Sequence, residues 1–517
     1  MNPTPQQQLV IDTLKLETSS VVNSLAGSGK TTTAAIAIAD LPKPVMDSTA
    51  LVAYNRHITE YDRGKCIPEM APRVKTFNGF GHLACLRRFS PQHTSKYLMA
   101  EKYSYILRDL MPEMPFKEKN DTSKYLRGMI DQTRNQMVDP TSTRDILKMI
   151  THFGWEMPED SKGRPSLSFD NAQQIVIDAI KRGAKECSTR IDYIDQVYQP
   201  ATREDISMTS FKRLLIDEVQ DANPMQLALA RKMSKNIMAI GDSNQAIFGF
   251  QGAMVDSMDR LQESLNAVPL KLTVCWRCPT SHINLAKSLV PELEAAPGAI
   301  EGEINSVYNR DMIRALRKYD LSKTAIICRT NQPLIDKYHE LVMSKIPAKI
   351  QGKGFGVSLT SLVEAVTRRY VPWSDFLTPL KAYHAKRVEQ LEKEEGNEMA
   401  IQSLDDRVDS LKTFYFAADE EGCNDYPQFM KYIENSFVSD DDKFSGVLLS
   451  TGHGIKGKEF ENTFLLRRDL CPHPKARKGG WETVQEYNLL YIMYTRSTNR
   501  MFFVEKDSFE GEDAWAA

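Results

Sequence analysis

Two short stretches carry residue types that handle phosphate. The first is Ser24-Leu25-Ala26-Gly27-Ser28-Gly29-Lys30-Thr31, which follows an apolar run (Ser20–Leu25) and opens an Ala-rich segment, Thr32–Ala39. Glycines at 27 and 29 let the backbone turn so that its N–H groups converge on one point, and the start of the following helix adds partial positive charge there. In that setting Ala26, Gly27, Ser28, Gly29, Lys30, Thr31 and Thr32 are candidates for binding the phosphates of ATP. Lys30 would reach the β- and γ-phosphates, and the Thr31 hydroxyl would hold Mg²⁺. The strict form of this pattern begins with Gly; Ser24 stands in that place. The second stretch, Arg213-Leu214-Leu215-Ile216-Asp217-Glu218-Val219-Gln220-Asp221, is an apolar run ending in two adjacent carboxylates. Phosphoryl transfer to water needs one carboxylate near the metal and another to orient or deprotonate the water. Asp217 is read as the metal-shell residue and Glu218 as the base. Taken alone, this stretch reads as a strand followed by an acidic turn; the upstream phosphate loop is what turns it into a site.

The elements that must position these residues are short apolar strands alternating with helical stretches, over two regions. The first holds Ser20–Leu25, Leu51–Asn55, Leu214–Glu218 and Ile237–Asp242; the second holds Leu270–Arg277, Thr324–Arg329, Val447–Thr451, Asn462–Leu466 and Arg500–Glu505. Such alternation implies parallel sheets with helices on their faces, hence two α/β domains. Each region is interrupted by a mainly helical stretch, about Leu86 to Arg190 and about Leu359 to Asp440. Within the latter, Tyr383–Leu411 is charge-dense; a solvated antiparallel helix pair is expected, with a partner- or DNA-contacting arm as the alternative.

Composition sets bounds on this reading. A chain of 517 residues is too long for one core, and 41% apolar with 26% charged residues is ordinary for a soluble globular protein. The net charge of −2 does not advertise nucleic acid, so any DNA contact must come from a local cleft. The 8 cysteines lack the paired spacing of a disulfide framework, which points to a reducing compartment. Cys275-x-x-Cys278 has half the spacing of a zinc site, but the other two ligands are not evident. No leader-like start and no run long enough to span a membrane are found. The expectation is a soluble protein of a prokaryotic or viral-host cytoplasm, associated with the nucleoid.

Ile240-Gly241-Asp242-Ser243-Asn244-Gln245-Ala246-Ile247-Phe248-Gly249-Phe250-Gln251-Gly252-Ala253 resembles motif III of the UvrD/PcrA/Rep-like DNA helicases of superfamily 1. In that family the Gln senses the γ-phosphate and aromatic residues just beyond it stack on bases; Gln245, Phe248 and Phe250 occupy those places. The chemistry agrees. A neutral amide can bond a phosphate in one nucleotide state and release it in another. An aromatic face holds any base without reading sequence, although core packing is the other reading of Phe248 and Phe250. Further segments fall in family order. Thr4-Pro5-Gln6-Gln7 resembles the Q motif, whose Gln reads the adenine edge; Gln7 fits best and Gln8 could substitute. Ala53-Tyr54-Asn55-Arg56 resembles motif Ia, which would put Asn55 on the DNA backbone. Thr76-Phe77-Asn78-Gly79-Phe80-Gly81-His82 resembles the segment after it, implying DNA contacts for Thr76 and Phe77, with Asn78 where His is usual. Ile191-Asp192-Tyr193-Ile194-Asp195-Gln196 resembles the acidic-aromatic segment that leads back into the first motor domain.

Cys275-Trp276-Arg277-Cys278-Pro279 resembles motif IV, which implies that Trp276 stacks on adenine and Arg277 contacts the γ-phosphate. Thr451-Gly452-His453-Gly454-Ile455-Lys456-Gly457-Lys458-Glu459-Phe460 resembles motif V, which implies that Thr451 and His453 face DNA phosphates and Glu459 the ribose. A helix-capping loop residue is the other reading of His453. Glu486 to Ser497 resembles motif VI; it departs from the pattern at Ile492, Met493 and Ser497, and Arg496 takes the place of the arginine finger.

The resemblance runs from Gln7 to Arg496 in motif order and spacing. It implies a fold class of two RecA-like parallel-sheet motor domains, each with a helical accessory insertion. Residues 1–87 and 191–265 would form the first motor domain around the insertion 88–190; residues 266–358 and 441–517 would form the second around a reduced insertion, 359–440. It implies a DNA-dependent ATPase using ATP and Mg²⁺, translocating 3′-to-5′ on single-stranded DNA and unwinding duplexes. Single strands and single/double-strand junctions would be its partners, with no membrane, and it would work as a monomer or weak oligomer. The alternatives are a translocase that strips bound proteins or recombinase filaments with little unwinding, and an inactive nucleic-acid-binding scaffold. The presence of Lys30, Thr31, Asp217, Glu218, Gln245, Arg277 and Arg496 speaks against the scaffold.

Overall fold

Alternating apolar runs become two all-parallel sheets, one in each of two units, Met1–Leu272 and Thr273–Ala517. The structure is a computed structural model. It describes the chain apart from residues 1–2, 54–63, 65–67, 92–93, 154, 156, 159, 161–163, 248–256, 368–369, 393–397, 440–441, 443, 474–480 and 508–517.

In the first unit, β1 (Ser20–Ser24), β2 (Thr49–Ala53), β3 (Val74–Thr76), β4 (Arg213–Ile216), β5 (Ile237–Gly241) and β6 (Val268–Leu272) lie in the order β3-β2-β4-β5-β1-β6. Side chains alternate between the two faces of a strand. Val21, Val52, Leu214, Ile216 and Ala239 therefore enter one apolar cluster, while Val22, Leu51, Leu215 and Met238 enter another. Helices cover both faces, which is why these strands are apolar almost throughout. The order brings the C-terminal ends of β4, β5 and β1 side by side. Asp217, Asp242 and the loop after Ser24 begin there.

One strand expectation is corrected. The run Leu270–Arg277 was read as a strand of the second region. Instead Val268–Leu272 is the edge of the first sheet, parallel to β1 with Leu272 opposite Ser24. β7 (Val274–Cys275) pairs separately with β8 (Glu294–Ala295). An apolar run marks a buried strand without saying which sheet it joins; here Leu270 and Leu272 pack into the cluster around Val22 and Ile240.

The helices Lys102–Leu110, Phe116–Asn135, Thr143–Phe153 and Phe169–Lys185 have an apolar cluster of their own. A buried ion network joins them to the segment 192–195. Lys102 Nζ lies 2.5 Å from Asp195, and Arg134 lies 2.8 Å from Asp192 and 3.0 Å from Asp195, all with side chains at most 1% exposed. The Arg134 guanidinium also sits over the Tyr103 ring, 4.0 Å from its centroid. Removing one partner of such a network strands the rest. Arg134→Met is expected to lower the free energy of unfolding by about 3–5 kcal/mol in a denaturant titration. A loss below about 1 kcal/mol, the worth of an exposed pair, would contradict a structural role for the buried network.

In the second unit β9 (Glu303–Tyr308), β10 (Thr324–Cys328), β11 (Ala348–Gln351), β12 (Phe437–Val438), β13 (Val447–Thr451), β14 (Phe460–Leu466) and β15 (Ser497–Glu505) lie in the order β12-β11-β13-β10-β14-β15-β9. The helices of 359–440 share one apolar cluster with this sheet: Leu359, Phe376, Leu404 and Phe414 pack with Ile326, Ile350 and Leu449. The charge-dense stretch forms parts of the helices Leu377–Glu392 and Glu398–Glu420, which bury Leu380, Leu404, Val408 and Leu411. Asp406 accepts the backbone N–H groups of Asn331 at 3.1 Å and Gln332 at 2.9 Å, anchoring the second of these helices to the start of the helix Gln332–Met343.

His339 lies in the same cluster, stacked on Tyr432 with ring centroids 5.9 Å apart, and edge-on to Phe414. Burial pushes its pKa down to about 4, from 6.5 for a free histidine. In that interval the unfolded chain binds the proton and the folded protein does not. The contribution is therefore present above about 6.5 and is lost as pH falls toward about 4, by on the order of 3 kcal/mol. His339→Phe is expected to flatten the fall in urea midpoint across that window. Identical pH profiles for variant and parent would contradict this.

Candidate active site

β1 runs into the loop Leu25–Gly29, and the helix Lys30–Ala39 starts directly after it. Gly27 and Gly29 have φ of 68° and 83°, a region costly for any residue with a Cβ. The first turn of the helix carries no acidic residue, so its N-terminal partial charge is left to attract an anion. Ser24, in the place of the expected Gly, has its buried hydroxyl 2.7 Å from that of Ser28, so it closes the neck of the loop. Gln7 stands at the loop's rim. Its side chain donates to the Ser28 carbonyl at 3.5 Å and accepts from the Thr4 N–H at 3.0 Å.

β4 ends at Ile216, and the two carboxylates follow. Glu218 has φ of 54°, the left-handed region, rare for a side chain of this size. That one residue turns both acids toward the loop. Thr31 Oγ1 donates to Asp217 at 3.2 Å, and Lys30 Nζ donates to Glu218 at 2.7 Å. Gln220, which sequence reasoning did not single out, links this pair to the end of β5. It donates to Glu218 at 2.5 Å and accepts from the Asp242 N–H at 3.1 Å. Gly241 permits the approach: a Cβ there would lie 2.4 Å from the Gln220 amide oxygen. Asp242, likewise missed, accepts from Gln245 Nε2 at 2.6 Å and holds that amide beside the acids.

Electrostatics follow from burial. Burial pushes Asp217 up to about 6; Glu218 adds to the shift and Lys30 opposes it. Burial also raises Asp242, with Lys30 opposing. For Lys30, burial favours the neutral amine, but Glu218, Asp217 and Asp242 outweigh it and hold its pKa above the usual lysine value. Two buried carboxyl groups, Asp217 and Asp242, and the half-buried Glu218 around one ammonium are suited to a bound cation. Thr31 and Asp217 offer hard oxygen donors at the loop, and no group of three His, Cys, Asp or Glu able to hold a metal occurs among the described residues. That donor set fits Mg²⁺, which keeps waters and phosphate oxygens in its shell, rather than an all-protein cage.

The second unit brings Arg277, Glu459 and Arg496 together. Arg277 ion-pairs with Glu459 and donates to the Thr495 carbonyl at 3.4 Å. Its Nε is buried with no hydrogen-bond partner among the described residues. Arg496 is 1% exposed and donates only to neutral oxygens: Ile492 O at 3.0 Å, Thr495 Oγ1 at 3.1 Å and Lys458 O at 3.4 Å. No carboxylate pairs with it among the described residues. Burial, with Arg277 close by, lowers its pKa to about 10, so it remains a cation at neutral pH. A buried cation bonded to neutral oxygens is a receptor for an anion. Trp276, beside Arg277, is 39% exposed.

Residues 57–266 match the family model for the UvrD/REP helicase N-terminal domain. A probable DNA helicase II homolog of Mycoplasma pneumoniae is 22% identical over 95% of this chain and 82% of its own. DNA helicase II of Escherichia coli is 25% identical over 56% of this chain and 55% of its own. The ATP-dependent DNA helicase PcrA of Leuconostoc citreum is 22% identical over 74% of this chain and 65% of its own. Residues 57–266 are thus similar to the N-terminal domain of the UvrD-like helicases, and the chain is similar to DNA helicases over most of its length. It thus spans 82% of one of these relatives and about half to two thirds of the other two.

Around the loop Leu25–Gly29, several further motif residues serve the local architecture. Thr76 caps the helix Phe77–Phe89, its hydroxyl accepting from the Gly79 N–H at 3.0 Å. Phe77 is a correction: it was assigned to DNA, but it is 2% exposed and packs with Phe80, Val197 and Leu214. The first position of a helix that lies against a sheet points inward, and a large apolar side chain there joins the core. Asn78 donates to the Tyr193 carbonyl at 2.7 Å and to Gln196 at 2.9 Å, clamping two motifs together. Tyr193 itself is 58% exposed, an aromatic face that the sequence match left without a role. Thr451 accepts from the Gly454 N–H at 3.2 Å, the turn-capping geometry. Burial, reinforced by Arg329, pushes His453 down to about 4, so its ring is neutral at physiological pH. Asn55, Phe248 and Phe250 lie outside the described residues.

Proposed function

We propose that the chain is an ATP-driven motor that moves 3′-to-5′ on single-stranded DNA and couples ATP hydrolysis to duplex unwinding. The observation that carries this reading is the convergence of Lys30 and Thr31 on Glu218 and Asp217 at the N-terminus of one helix. Phosphate oxygens of ATP compete with Glu218 for Lys30, and the released carboxylate can then orient or deprotonate the attacking water. Asp217 and Thr31 would hold Mg²⁺, which supplies positive charge against the β- and γ-oxygens. Gln245, poised on Asp242, exchanges that partner for the γ-phosphate. Gln7 meets the adenine edge and Trp276 its face. Arg277 and Arg496 neutralise the γ-phosphate from the second unit, with Glu459 released toward the ribose.

A nucleotide held by both units favours one arrangement of the motor domains, and hydrolysis removes the shared anchor. On the DNA side, bases stack on Phe248, Phe250 and Tyr193, while Asn55, Thr76, Thr451 and neutral His453 contact phosphates. Residues 88–190 and 359–440 serve as accessory insertions. The relatives bear the name DNA helicase, which supports DNA as the tracked strand.

The test is strand displacement with ATP and Mg²⁺ on duplexes carrying a 3′ or a 5′ single-stranded tail. Unwinding of the 3′-tailed duplex alone is expected. Preference for the 5′ tail would overturn the polarity, and DNA-stimulated ATP turnover without displacement of either would overturn unwinding.

A further inference from the structure

Cys275 and Cys278 bracket the Trp276-Arg277 segment, and nothing in the nucleotide reading uses them. Cys275 ends β7, and Cys278 precedes Pro279 at the cap of the helix Thr280–Ala286. Both are buried, but Trp276 between them is 39% exposed, so the loop that carries them lies at the surface. The Cys278 N–H donates to Cys275 Sγ at 3.4 Å, which folds the two residues onto one tight bend. This is the geometry of an attacking and a resolving thiol one turn apart.

The other described cysteines differ. Burial pushes Cys85, Cys187 and Cys471 up to about 12 and Cys328 up to about 11. Cys275 moves the opposite way, down to about 6, because the Cys278 side chain, the backbone N–H groups of 277 and 278 and the Arg277 guanidinium all lie close to it and favour its thiolate, against the effect of burial. Cys278 is raised and keeps its proton.

We propose that Cys275 and Cys278 are a reversible oxidation site, where a peroxide converts the dithiol to an intramolecular disulfide that restrains Arg277 and Arg496. The Cys275 thiolate attacks one peroxide oxygen; the S–O bond forms, the O–O bond breaks, and hydroxide leaves to be protonated to water. Cys278 then attacks the sulfenic sulfur; the S–S bond forms, the S–O bond breaks, and hydroxide takes the Cys278 proton and leaves as a second water. Two thiols are oxidised and one peroxide is reduced to two waters.

The consequence for the arginines follows from Thr495. Its carbonyl accepts from Cys278 Sγ at 3.6 Å and from Arg277 at 3.4 Å, and its hydroxyl accepts from Arg496 at 3.1 Å. A disulfide removes the S–H donor and closes a four-residue ring around Arg277, so both guanidinium groups lose their present seating. This consequence, but not the oxidation itself, rests on the nucleotide reading above.

The experiment treats the whole protein with hydrogen peroxide, maps disulfides by peptide mass spectrometry, and follows DNA-stimulated ATP turnover before and after reductant. The expected result is a Cys275–Cys278 bridge with turnover reduced about 100-fold and restored by dithiothreitol, a loss of the size expected when one transition-state contact is misplaced. Cys278→Ser, normalised to its own reduced rate, should lose the sensitivity. Absence of the bridge in folded, peroxide-treated protein overturns the site. A bridge with unchanged turnover overturns the restraint. Failure of the nucleotide reading is seen separately, as normal turnover by reduced Arg277→Ala.

Discussion

Glu218→Gln is expected to bind ATP and to turn it over about 10²–10⁴-fold more slowly, the range a general base contributes. The substitution keeps size and hydrogen-bonding capacity but removes the negative charge that faces Lys30 at 2.7 Å. Nucleotide binding should survive, because the loop N–H groups and Lys30 remain and Lys30 no longer has a carboxylate competing for it. Lys30→Ala separates binding from chemistry: it should lose both, since the same ammonium seats the phosphates. Nucleotide binding by equilibrium dialysis, beside DNA-stimulated phosphate release, reads the two effects apart. Parental turnover by Glu218→Gln would remove Glu218 from the role of base and leave it as the structural partner of Gln220.

Arg496→Ala should cost about 10³–10⁵ in DNA-stimulated turnover, the range for an arginine that meets a transferring phosphoryl group. The expectation rests on Arg496 being 1% exposed and bonded only to neutral oxygens. An arginine placed for stability would have a carboxylate, as Arg329 has in Glu486 at 2.6 Å. Arg496→Lys keeps a charge but not the planar fork, and it should remain strongly impaired. Circular dichroism on both variants guards against loss of fold. Turnover within about tenfold of the parent, well inside the worth of one misplaced contact, would return Arg496 to a packing role.

These two residues also show what could be read before the fold was known. The phosphate loop was legible because its chemistry needs glycine, lysine and a hydroxyl at fixed spacing, and the helix that follows is announced by its alanines. The acids were legible as a pair, but their common direction was not, since it depends on the left-handed backbone of Glu218. Gln220 and Asp242 lay inside recognised segments, yet their link crosses between two strands and appears only once β4 and β5 are neighbours. Phe77 was misassigned because a motif position does not reveal which side of a helix meets the sheet. The edge strand Val268–Leu272 was misassigned for a related reason: apolar alternation is the same whichever sheet receives it. The acids Asp192 and Asp195 lay in a recognised segment, but their cationic partners Lys102 and Arg134 had no sequence signal, because charges far apart in the chain look like ordinary surface residues until they meet.

The proposition on which the rest depends is that one ATP is held by both units. It is tested by photolabelling with an adenine-azido ATP in the presence of Mg²⁺ and single-stranded DNA, followed by peptide mapping. Label on the peptide that carries Trp276, abolished by Lys30→Ala, is the expected result. Label confined to residues 1–272, with none beyond, would contradict it.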